Sequence, residues 1–108
     1  MKNILSILFI FLSMTAFSQV TVAHYNAEWN KANSVEWISK LKDCDIAKVD
    51  IVKEPKLQQK HKIVVVPTII IFFDGEEVKR YQADVSFTMK ATREEIQEKI
   101  EEIIMENF

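Results

Sequence analysis

Residues 64–73 are apolar at every position except Thr68, with one proline, Pro67, inside the run and Asp74-Gly75 closing it. A proline lacks the N–H that a sheet ladder needs, so Pro67 belongs at the start of a strand or in a cis turn. Thr68 to Phe73 is β-branched and aromatic, the composition of a strand covered on both faces. Asp-Gly is a strong two-residue hairpin signal, and residues 76–81 read as the returning strand.

The remaining pattern fills in around this hairpin. Residues 20–25 alternate and predict a first strand. Asn33 and Glu36 have capping-box spacing, and Val35, Trp37, Ile38 and Leu41 supply the apolar face of a helix ending near Asp43. Residues 46–52 predict a second strand, which a strand–helix–strand order makes parallel to the first. Pro55 opens a short helix over residues 56–60. Thr92 and Glu95 form another capping box, and Ile96, Ile100, Ile103 and Ile104 stripe a final helix. The expected order is β-α-β-(α)-β-β-α around a mixed four-stranded sheet.

At the N-terminus Lys2, an apolar core over residues 4–12 and Ala16-Phe17-Ser18 have the layout of a secretory signal. Residues 1–18 are therefore expected to be removed, and residues 19–108 to form one exported domain, periplasmic or extracellular. The apolar run falls short of the roughly 20 residues that a membrane span needs, so no membrane association is expected after cleavage. A formal charge of −2 in 108 residues shows no basic excess, and nucleic acid is not an expected partner. A small exported domain often carries disulfides, but the single cysteine, Cys44, permits no internal bridge. Packing has to hold it. The residues spell out no metal-ligand motif or cofactor signature.

Tyr25-Asn26-Ala27-Glu28-Trp29, residues 46–50, Pro55, Val66-Pro67-Thr68 and Asp74-Gly75-Glu76 together resemble the thioredoxin family. The likeness runs over essentially all of residues 19–108. It implies a three-layer α/β fold with Pro67 as the cis-proline beside the site. A groove would be formed by Trp29, the backbone at Val66 and Pro67, and Ala83, which stands near the family's groove glycine. An extended peptide or protein segment is the partner this implies.

The departures change the chemistry. Where the family has Trp-Cys-x-x-Cys, this chain has Trp29-Asn30-Lys31-Ala32-Asn33. Thiol–disulfide exchange needs a thiolate to attack and a second thiol to resolve the mixed disulfide, and an amide does neither. His24 stands where the family's buried acid is expected. Asn30 and Asn33 read either as helix caps, which their residue type favours, or as amide contacts to a ligand. His24 reads as a satisfied strand histidine, with a pH-sensitive or metal-binding group as the alternative. His61 reads as a loop or helix-end residue.

Cys44 lies eleven residues past Asn33, ~15 Å away if a helix rising about 1.5 Å per residue joins them. It is either a buried apolar residue or an exposed thiol able to link two chains. The likeness also implies a shortened first helix and a missing outer strand, which leaves residues 46–52 at a sheet edge open to another chain. Residues 82–91 form a loop longer than the family's, in which Phe87 and Met89 either line the groove or fold into the core. Three readings follow: a redox-inactive peptide-binding module, a thiol–disulfide enzyme working through Cys44 or a partner's cysteines, and an assembly subunit dimerising through the edge strand or Cys44.

Overall fold

A computed structural model describes residues 19–107, so the expected signal segment over residues 1–18 lies outside the described residues. Its strands are β1 (Val20–Asn26), β2 (Asp45–Asp50), β3 (Thr68–Phe73) and β4 (Glu76–Gln82). Its α-helices are α1 (Pro55–Lys60) and α2 (Arg93–Asn107). The four strands form one sheet in the order β2-β1-β3-β4. β1 runs parallel to β2 and antiparallel to β3, and β3 pairs antiparallel with β4. This is the mixed α/β sheet expected.

β1 and β3 occupy the centre, and both bury apolar residues on the two faces of the sheet. Ile69 and Ile71 point into a core with Val20, Val22, Ile96, Ile100 and Ile103, which fixes α2 on that side. Ile70 joins Ala23, Tyr25, Ile51, Ile63 and Val66 on the other. Period-two alternation in β1 and β3 thus makes two cores and three layers. At the hairpin, Asp74 and Gly75 both have positive φ, 52° and 84°, as a two-residue I′ turn requires. At α2 the capping box closes reciprocally: the Glu95 amide donates to Thr92 Oγ1 at 3.1 Å, and the Thr92 amide to Glu95 Oε1 at 3.4 Å.

The first helix is a correction. In place of one α-helix beginning at Asn33, two 3-10 segments occur, Glu28–Asn33 and Glu36–Lys40, neither with a side-chain cap. Val35 separates them with φ −85° and ψ 96°, outside the helical region, and its amide donates to His24 Nε2 at 3.1 Å. The apolar residues still do their expected work, since Val35, Ile38 and Leu41 pack into the core with α2. Burial was legible in the spacing; the type of helix was not.

Candidate functional site

β1 delivers Asn26 to the edge of the site, the first 3-10 segment follows, and the Val66–Pro67 peptide bond opposite is cis. Asn30 sits between them, only 5% exposed. Its Nδ2 lies within hydrogen-bonding reach of three acceptors: Asn26 Oδ1 at 3.1 Å, the Phe87 carbonyl at 3.2 Å and the Val66 carbonyl at 3.4 Å. A primary amide has two hydrogens, so Val66, the longest contact, shares one. Asn33 Nδ2 donates to Asn30 Oδ1 at 2.9 Å. Asn26 Nδ2 in turn donates to the Asn30 carbonyl at 3.1 Å and to Ser34 Oγ at 3.0 Å.

This network corrects the helix-cap reading: neither asparagine caps a helix, and the Asn30 Nδ2 donors are engaged within the protein. Asn26 and Ser34, neither of them singled out as a site residue above, are as central as Asn30. No local period marks them, because Asn26 ends β1 and Ser34 follows the first 3-10 segment.

Trp29, beside Asn30, is 64% exposed. Phe87 meets it edge-on, with ring centroids 5.5 Å apart and planes at 88°, and is itself 42% exposed. Of the two loop residues with open alternatives, Phe87 therefore lies over the site, while Met89 packs against the core that contains α2. The loop tip is organised by Asp84, whose carboxylate accepts from the Ser86 amide and hydroxyl and from Thr88 Oγ1. Those bonds hold the Asp84 carboxyl well below its usual range. The Ala83 amide donates to the Pro67 carbonyl at 3.0 Å, which places Ala83 against the cis-proline.

His24 is 6% exposed, and burial first, with Lys48 second, lowers its pKa to about 4. It is neutral at pH 7 and accepts the Val35 amide, so it is the satisfied strand histidine. A cleft of about 520 Å³ opens next to it, lined among others by Asn26, Ser34, Lys48 and Asp50. No group of three or more metal-ligating side chains occurs among the described residues. His61 follows α1 and lies between Tyr25 and Phe72, tilted to the first at 5.8 Å and edge-on to the second at 5.3 Å.

The structure brings Trp29, Asn30, Asn33, Val66, Pro67 and Ala83 together and leaves Cys44 elsewhere. Cys44 is half-buried against the α2 core. Its thiol is pushed up to about 11, by burial first and then by Asp45 and Asp43. The helix on which its ~15 Å separation was reckoned is replaced by the 3-10 segments. A thiol so rarely ionised is a poor nucleophile.

A family model described as Thioredoxin matches residues 19–102. No curated protein matches the chain in sequence. Among solved structures, a mutant thioredoxin from Halobacterium salinarum is 23% identical with a TM-score of 0.63, over 79% of this chain and 74% of that one. Schistosoma mansoni thioredoxin is 22% identical with a TM-score of 0.62, over 88% and 85%. Fasciola hepatica thioredoxin is 23% identical with a TM-score of 0.59, over 88% and 89%. At these identities the structural likeness speaks for the fold.

Proposed function

Since the chain belongs to the thioredoxin family, we propose that it is an exported member that has given up thiol–disulfide exchange and keeps the groove beside Pro67 to bind an extended peptide or protein segment. The observation that carries this reading is the substitution of both motif thiols by Asn30 and Asn33 beside a cis Val66–Pro67 bond and an exposed Trp29. Electron transfer through sulfur has no donor here, because the one thiol, Cys44, lies apart and is held protonated by its surroundings. Binding needs none of that chemistry. Trp29 supplies apolar area, and the backbone around Val66 supplies the polar edge along which an extended chain aligns.

The test has two arms. In a disulfide-reduction assay the protein and its Cys44→Ser variant both run at background beside a two-cysteine thioredoxin; activity that Cys44→Ser abolishes would make this a one-thiol enzyme instead. On an array of extended peptides, Trp29→Ala loses the spots that the wild type retains; an unchanged pattern would sink the groove reading.

β2 at the sheet edge supports a second reading, self-association by strand addition. It predicts a concentration-dependent dimer in sedimentation that survives reductant, and a monomer at millimolar concentration would dismiss it.

A further inference from the structure

This inference rests on the groove reading and names what the groove prefers and how it is regulated. We propose that the loop over residues 83–91 is an internal ligand: Phe87 occupies the place where an aromatic residue of an extended partner segment docks, and the partner binds by displacing it.

Four observations meet at Phe87. Its ring stands edge-on to Trp29 in the geometry that aromatic pairs prefer, although both rings remain substantially exposed. Its main-chain carbonyl accepts from Asn30 Nδ2, so this loop residue satisfies a buried amide next to Val66 through its backbone. It does so at φ 62°, a left-handed conformation that is unfavourable for a bulky side chain. The tip's other hydrogen bonds are internal: most converge on Asp84, including that from the Phe87 amide to the Asp84 carbonyl at 3.0 Å, and one joins the Ser86 and Thr88 hydroxyls. The tip therefore has a shape of its own and can leave as a unit.

The chemistry of the displacing segment follows from what Phe87 supplies. It needs an aromatic ring for the Trp29 face and a main-chain carbonyl for Asn30. In an extended chain the residue that provides both avoids the left-handed backbone that Phe87 adopts. Charge does not select it: Glu28 pairs with Lys31 and Asp84 with Lys90, each at 3.4 Å, so the charged residues flanking Trp29 and Phe87 are matched in opposite-sign pairs. The fitting partner is a neutral, extended segment centred on an aromatic residue.

The probe is the blocked heptapeptide acetyl-Gly-Thr-Val-Phe-Val-Thr-Gly-amide, with a counterpart carrying Ala in place of its Phe. Both are titrated into the wild type, Phe87→Gly and Phe87→Asn, following the Trp29 indole N–H resonance. Glycine and asparagine both tolerate the left-handed backbone and lack the ring. If the loop occludes the site about nine-tenths of the time, both variants bind the Phe peptide about tenfold tighter than the wild type, and the Ala peptide gains nothing. Equal affinities in all three proteins, weaker binding by the variants, or a gain in Phe87→Gly alone overturns the internal-ligand proposal and leaves the groove reading standing. No binding by any of the three overturns both.

Discussion

The side-chain amide of Asn30 donates to the main-chain carbonyl of Phe87 at 3.2 Å, across a separation of 57 residues. Through it, the position where the family carries a thiol has become a structural clasp between the first 3-10 segment and the loop after β4. The replacement amide is thus more than a lost nucleophile. It joins Asn26, the cis-proline segment and the loop into one buried polar network, and such a network stabilises only while every member is satisfied.

Asn30→Asp tests that clasp without changing shape. The carboxylate would face three acceptors, Asn26 Oδ1 and the Val66 and Phe87 carbonyls, with nothing to donate. A loss of about 2–3 kcal/mol in urea unfolding at pH 7 is expected, from a buried group left without partners. Relative to the wild type at each pH, the loss should shrink at pH 5, because the protonated acid regains a donor. A variant as stable as the wild type at pH 7 would mean that the network is not closed as described.

Asn30→Cys with Asn33→Cys should restore a working motif. Asn30 sits at a kink of the first 3-10 segment, φ −114° and ψ 20°, and there the side-chain amides of Asn30 and Asn33 already touch at 2.9 Å. Oxidised, the double variant should titrate one free thiol, that of Cys44, and three after reduction. With dithiothreitol as electron source it should reduce insulin above the wild-type background. Three free thiols after oxidation would contradict the geometry of the segment.

The two capping-box spacings, Thr92–Glu95 and Asn33–Glu36, led to different structures. Thr92 and Glu95 bond each other across α2's first turn, so local spacing decided their structure and α2 begins as expected. Asn33 had the same spacing to Glu36, but tertiary partners won: Asn30 took its side-chain amide and His24 took the next segment's Val35 amide. The sheet was legible for a related reason. A β3 apolar on both faces has one place to go, and Asp74-Gly75 leaves no choice of turn. The site was legible only in part, since Trp29 and Val66-Pro67 could be read from the family's pattern. The clasp joins Asn26, Asn30, Ser34 and Phe87 through contacts that no local period encodes.

Arg80 anchors β4 to the end of α1. Its guanidinium donates to the carbonyls of His61 and Lys62 at 2.7 Å and 3.0 Å and makes a two-pronged pair with Glu77 at 2.8 Å and 2.9 Å. Arg80→Ala should cost about 1–3 kcal/mol, the scale of hydrogen bonds from a charged donor. Arg80→Lys should recover less than half, because an ammonium cannot span the fork. Thermal unfolding of the two variants decides this, and a lysine variant at wild-type stability would reduce the contact to simple charge.

His24 makes a prediction about acid. Its folded pKa of about 4 lies below the ordinary value of 6.5, because burial and then Lys48 disfavour the imidazolium. The sign follows from proton counting. Above pH 6.5 the residue is neutral in both states and its contribution is fully present. Between 6.5 and about 4 the unfolded chain binds the proton and the folded chain does not, so stability falls as pH falls; below about 4 both states are protonated and the loss levels off. The whole window amounts to roughly 3 kcal/mol. His24→Gln keeps an acceptor for the Val35 amide and removes the titration, so its stability should decline less steeply over this range. Parallel curves for wild type and variant in urea unfolding from pH 7 to pH 4 would show that His24 is open to water and free to charge.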